Sequence, residues 1–230
     1  MRLYDAVLFD LFGTLIDIWP QSAYDRVNEQ VGAMLGVPPE EFRRVWRECS
    51  PERNRGEFGS TEGDIGHACG LLGAKPTPAQ VAAATVIRLD LQRHNQAPRP
   101  GAIETLRKLK SDGYKIALVS DAFVDVTRVW HESEFATLMD AAVFSCDIGI
   151  NKPDPAMYNA ACEGIGAAPD RCLYVGDGGS SELTGARAVG MSPVLIRVDY
   201  DHEFDPRRPD LATWQGPVIS SVPEVLELVR

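Results

Sequence analysis

The 230-residue chain contains no apolar run approaching the roughly 18 residues that a membrane-spanning helix requires. Cysteine is scarce and scattered: Cys49, Cys69, Cys146, Cys162 and Cys172, with no CxxC pair. An odd, widely spaced set fits neither a disulfide framework nor a zinc site, so these five read as small buried hydrophobes in a reducing compartment. The four histidines, His67, His94, His131 and His202, show no triad or metal spacing and are assigned no role. Positive charge is in deficit, 23 Lys and Arg against 33 Asp and Glu, a net charge of −10. That balance opposes non-specific nucleic-acid binding and means that an anionic substrate needs a locally positive site. The opening MRLYDAVLFD places an acid before its apolar stretch, so no secretory leader is evident. Repeats and low-complexity tracts are also missing. The expectation is a cytoplasmic monomer or homodimer with a small anionic substrate and no nucleic-acid or membrane partner.

What is present is ordinary globular material, 44% hydrophobic and 24% charged, enough for one large domain or a domain carrying an insertion. Leu3 to Phe9 is a short apolar run ending in Asp10 and a Gly13-Thr14 turn, as expected of a strand buried on both faces. Ala23, Val27, Val31 and Met34 then recur at intervals of three and four. Pro38-Pro39-Glu40-Glu41 opens a second helical run, Thr61 to Asp64 offers a third start, and Pro78 to His94 is Ala-rich and helical. No strand candidate interrupts residues 20–95, so this stretch reads as an all-helical insertion. Pro98 to Gly101 punctuates its end.

Beyond it the pattern alternates: helix 102–112, strand 115–119, helix 123–138, strand 142–145, helix 155–165, strand 172–175, helix 181–190, strand 194–198 and helix 222–229. Such alternation predicts an α/β fold with a parallel, Rossmann-like sheet. The predicted division is a core of 1–15 and 98–230 and a helical cap of 16–97. Residues 199–217 lack a period and read as a surface loop lying near the site.

In open parallel sheets ligands bind beyond the carboxyl ends of the strands. Those ends carry Asp10 within Asp10-Leu11-Phe12-Gly13-Thr14, Ser120-Asp121, Lys152-Pro153, and Gly176-Asp177-Gly178-Gly179 followed by Glu182 and Gly185-Ala186. A carboxylate nucleophile can split a displacement into two easier steps. The lysine would offset the charge collecting there, and the serine would hold a substrate oxygen. Asp10 with Asp177 makes a hard-oxygen pair suited to Mg²⁺.

The order DxxGT, Ser, Lys-Pro, GDxxxxE, GA resembles the four motifs of the haloacid dehalogenase superfamily, across the whole chain. The resemblance implies a Rossmann-like core, an aspartyl intermediate and Mg²⁺-dependent phosphatase activity on a small phosphorylated metabolite. It casts Asp10, Ser120 and Lys152 as catalytic, Leu11, Phe12, Thr14, Ser120, Asp121 and Lys152 as substrate-binding, and Asp10, Asp177 and the Phe12 carbonyl as metal ligands, with Glu182 near the metal. Two departures pull apart. Family phosphatases carry an acid two positions after the nucleophile, where this chain has Phe12, as the 2-haloacid dehalogenases have a non-acid. Those dehalogenases, however, have serine and asparagine in the places of Asp177 and Gly179 and use no metal. The phosphonoacetaldehyde branch needs a cap lysine, and Lys75, the only one, lies in a turn. The open alternatives are 2-haloacid dehalogenation and a weakly active relative that binds a metabolite.

Blander readings stand beside several of these. Ser120 could cap a helix, and Glu182 could stabilise the N-terminus of its own. Arg43, Arg44, Arg53 and Arg55 could clamp an anion or form a solvated helix face. Trp19, Trp46 and Phe58 could line a pocket, but core packing is the expectation for each.

Overall fold

The computed structural model describes residues 2–198 and 208–230. Six parallel strands form one sheet in the order β3-β2-β1-β4-β5-β6. They are β1 (Ala6–Phe9), β2 (Lys115–Ser120), β3 (Ala141–Phe144), β4 (Cys172–Gly176), β5 (Ser192–Ile196) and β6 (Val218–Ile219). β1 is buried at every position, because each face meets helices. Val7 and Phe9 join Leu106 and Val126 on one side, while Ala6 and Leu8 join Met157 and Ala161 on the other. The order runs outward in opposite directions from the β1–β4 pair. The crevice beyond their carboxyl ends is therefore the topological switch point, where ligands bind in such sheets.

Of the six helices between β1 and β2, the first five form the stretch expected as an insertion: α1 (Gln21–Leu35), α2 (Pro39–Glu48), α3 (Ser50–Asn54), α4 (Thr61–Leu71) and α5 (Pro78–His94). Their boundaries follow local chemistry. Gly36 ends α1 in the left-handed conformation, the Ser60 hydroxyl accepts from Gly63 N at the start of α4, and Thr77 with Gln80 makes a capping box ahead of Pro78. These helices own a separate apolar cluster, with Val31, Phe42, Val45, Ile65 and Ala84 buried in it. The two chain crossings into the insertion are tied together: Ile16 bridges Pro98, and Arg99 N donates to Leu15 O at 2.8 Å.

Ion pairs join the insertion to the rest of the chain. Arg88 of α5 donates from Nε and Nη2 to Asp125 Oδ2, at 3.0 and 2.6 Å, with both side chains buried. Asp125 belongs to α7 (Val124–Trp130), which follows α6 (Ala102–Ser111) in the chain. Arg93 pairs with Glu132 and Arg128 with Glu62 at the exposed edges.

The remaining helices are α8 (Glu134–Leu138), α9 (Ser145–Ile148), α10 (Pro155–Ile165), α11 (Glu182–Ala188) and α12 (Val225–Leu228). The helix expected over 123–138 is thus two, α7 and α8, because Ser133 turns its hydroxyl to Phe135 N and starts a new helix. The strand expected from Leu3 begins at Ala6, and Leu3 is exposed. β6 was not foreseen: two residues carry too little alternation to show. Within the predicted 199–217 loop, residues 199–207 lie outside the described ones. The surface reading is wrong for Arg208 and Asp210, which are buried. Among the described residues no helix is long and apolar enough to cross a membrane.

Candidate active site

Asp10 extends β1 by one pairing, its N–H donating to Val175 O at 2.9 Å, so its carboxylate emerges at the switch point beside the end of β4. Gly13 follows in the left-handed region at φ +82, and a side chain there would overlap Asp177 Oδ2. Both the turn and the close approach therefore require glycine.

Lys152 Nζ sits between two carboxylates, 2.7 Å from Asp10 Oδ1 and 2.6 Å from Glu182 Oε2. Burial works against the ammonium, but Asp10 and Glu182 outweigh it and hold Lys152 well above the ordinary lysine value. The Lys152 backbone N–H donates to Asp121 Oδ1 at 2.9 Å, tying this loop to the end of β2. Glu182 is fully buried, and burial and then the charge of Asp10 push its carboxyl well above the usual range. Its oxygens accept from Tyr174 OH at 2.8 Å and Gly178 N at 3.0 Å as well as from Lys152. A side chain at Gly176 would collide with Glu182 Oε1, so that glycine makes room for the buried acid.

Asp177 is held at Oδ1 by Gly179 N (2.9 Å), and its Oδ2 lies 2.7 Å from Arg208 Nε. That second approach is an ion contact and not an aligned hydrogen bond. Burial and then Asp10 raise the Asp177 carboxyl to about 6, against the pull of Arg208. The following loop carries strain. Ser180 and Ser181 adopt φ +50 and +53, a conformation costing roughly 1–2 kcal/mol per non-glycine residue.

Asp10, Asp177 and Glu182 each offer an oxygen within 4.8 Å of the others. The hard-oxygen set suits Mg²⁺. Glu182 is the most heavily engaged of the three, meeting Lys152, Tyr174 and Gly178, whereas Asp177 meets Gly179 N and Arg208 and Asp10 meets Lys152. Asp10 and Asp177 are therefore the better candidates for an ion. Glu182 instead fixes Lys152.

Of the other expected residues, Ser120 is fully buried, its hydroxyl making a long 3.5 Å contact with Asp121 O. Thr14 is buried, with no hydrogen-bond partner for its hydroxyl among the described residues. Leu11 turns its side chain into the core and its carbonyl to Leu15 N, so only its backbone is near the site. Phe12 is half-buried against that core.

Phe12, Asp121, Trp46, Arg53, Arg88 and Phe123 are among the residues lining a cavity of about 280 Å³. Trp46 is thus both packed and pocket-lining. The arginines divide. Arg43, Arg44 and Arg55 pair with nearby acids at the surface, whereas Arg53 is buried on Asp64 at 3.1 Å, with its guanidinium over the Trp46 ring. Burial lowers Arg53 to about 10 and raises Asp64 to about 6.

Sequence reasoning missed Arg88, Asp125, Tyr174, Arg208 and Asp210. A tyrosine inside a buried strand was a readable signal, since its hydroxyl needs a partner. The others had no local signal, because their partners are distant in the chain.

The parallel sheet thus delivers a carboxylate, a buried lysine and a second carboxylate to one crevice. The family of haloacid dehalogenase-like hydrolases matches residues 4–190, and the chain belongs to it. Glyceraldehyde 3-phosphate phosphatase of Pyrococcus furiosus is 25% identical over 234 residues, spanning 100% of this chain and 95% of the relative. (S)-2-haloacid dehalogenase 4A of Burkholderia cepacia is 27% identical over 202 residues, 83% and 82% of the two chains. In structure, 2-haloacid dehalogenase from Pseudomonas syringae pv. Tomato DC3000 superposes with a TM-score of 0.70 at 22% identity, over 98% of this chain and 97% of that one. That likeness establishes the fold.

Proposed function

We propose that the protein hydrolyses the phosphate ester of a small metabolite through a covalent intermediate on Asp10. The observation that carries this reading is Asp177, a buried carboxylate close to Asp10 in a position suited to a divalent ion. Phosphatases among the relatives point the same way.

An Asp10 carboxylate oxygen attacks phosphorus, the bond to the ester oxygen breaks and the alcohol portion departs as alkoxide, taking its proton from water. A second water then cleaves the aspartyl phosphate to regenerate Asp10 and release phosphate. Lys152 neutralises the phosphoryl oxygens while Glu182 and Tyr174 keep it in place. Ser120 supplies a hydroxyl to the same group, with Thr14 and Asp121 alongside. A Mg²⁺ ion held by Asp10, Asp177 and the Phe12 carbonyl would add charge stabilisation for the transferring group. The helical insertion serves as a cap that excludes water over the cavity. Phe12 cannot protonate a leaving alkoxide, so esters with good leaving groups are the favoured substrates.

A second reading rests on Phe12 itself: a halide needs no proton, and Asp10 could displace it from a 2-haloacid. Phosphate and halide release, each assayed with Mg²⁺ and with chelator, separates the two. Phosphate release that disappears in chelator supports the first reading. Halide release that survives chelator, with no phosphate release, overturns it.

A further inference from the structure

The cation resting on Asp177 in this structure belongs to the chain. Arg208 Nε lies 2.7 Å from Asp177 Oδ2, with both side chains buried, 8% and 5% exposed. The guanidinium also borders Gly13, within 3.0 Å of where a side chain there would begin. Arg208 thus stands between the turn after β1 and the carboxylate after β4.

The placement is built. Asp210, two residues on, is buried and accepts from Leu183 N at 2.8 Å, Thr184 N at 3.3 Å and Thr184 Oγ1 at 2.6 Å. Its own N–H reaches Gly178 O at 3.4 Å. An acid at the start of α11 also complements the exposed N–H groups of that helix. The segment is thereby clamped onto the loop that bears Asp177.

The charges explain why a cation is needed there. Three carboxylates each offer an oxygen within 4.8 Å of the others, and among the described residues Lys152 pairs with Asp10 and Glu182. Asp177 would otherwise be buried beside Asp10 without compensation, which is costly.

We propose that Arg208 is a built-in rival of the divalent ion, competing for Asp177 so that ion and guanidinium exclude one another. This rests on the metal-dependent reading above. Because the coupling is reciprocal, whatever displaces Arg208 tightens the ion by the same factor. Asp210 acts as a positioning residue, setting the competition without touching the ion.

Calorimetric titration of the metal-free, full-length protein with Mn²⁺ and with Mg²⁺ tests this without reference to turnover. Arg208→Gln should bind either ion about 10- to 100-fold more tightly than the unmodified protein, within the usual span of coupled equilibria. Asp210→Ala should move affinity in the same direction, and Asp177→Asn should abolish binding. Thermal unfolding checks that each variant is folded, and either tightening variant suffices. Unchanged affinity in folded Arg208→Gln and Asp210→Ala, with the ion bound by the unmodified protein, overturns the rivalry and leaves the metal reading standing. No binding by any protein overturns both.

Discussion

Replacing Asp177 by Asn should stabilise the metal-free protein, and by an amount that depends on pH. The buried carboxyl titrates at about 6, against an ordinary value of 3.8. Below pH 3.8 both native and unfolded chains carry it protonated, and an amide of the same shape changes little. As pH rises, the unfolded chain loses the proton first and the native state resists, so native stability falls through this window. Above about pH 6 the penalty is complete, roughly 2–4 kcal/mol from the separation of the two values. The Asp177 side chain is only 5% exposed, so solvent screening takes little from that figure. For a chain of this size the gain in Asp177→Asn corresponds to a Tm rise of roughly 5–10 °C at pH 8, shrinking towards zero near pH 4. The assay is thermal unfolding followed by circular dichroism in chelator across that range. A difference that does not vary with pH, or a variant less stable at pH 8, would refute the reasoning. The same residue is indispensable to the proposed chemistry, so the stability gained should coincide with lost metal binding.

Other expectations follow from single contacts. Asp10→Asn should abolish turnover while leaving the fold intact by circular dichroism; undiminished rates would remove the nucleophile from the account. Phe12→Asp should raise hydrolysis of alkyl phosphates, recovering part of the about 10²–10⁴-fold that a general acid contributes, with little change for aryl phosphates. A slower reaction on alkyl esters would mean that another group supplies the proton. Arg88→Leu should cost about 3–5 kcal/mol in urea unfolding by stranding the buried Asp125, and adding Asp125→Leu should recover most of it. If the double variant is no better than the single, the pair's charge is not what matters at that contact.

The chain order of the site was legible because each element announces itself locally. A buried strand shows as an apolar run, and the residue that ends it falls at the sheet's carboxyl edge whichever strands become its neighbours. Asp10, Ser120 and Asp177 could be placed on one edge for that reason, and Lys152 was drawn to the same crevice by its Lys-Pro motif ahead of α10. Four of the five helices of residues 21–94 showed a period or a start signal, α3 being the exception. What pairs with what was not legible. Lys152 could be named, but that it bridges Asp10 and Glu182, with Tyr174 and Gly178 holding the second acid, depends on loops from three strands meeting. The loop expected at the surface buries Arg208 and Asp210, and the cation opposite Asp177 comes from beyond β5. Arg53 and Arg88 looked like any helical arginines until packing removed them from water and matched them with Asp64 and Asp125. Hydrophobic period and turn chemistry are properties of neighbouring residues, so the sequence by itself determined most of the elements and their order. Charge compensation acts through space over a few ångströms in a medium of low polarity, so only the tertiary structure could decide the partner of each buried charge.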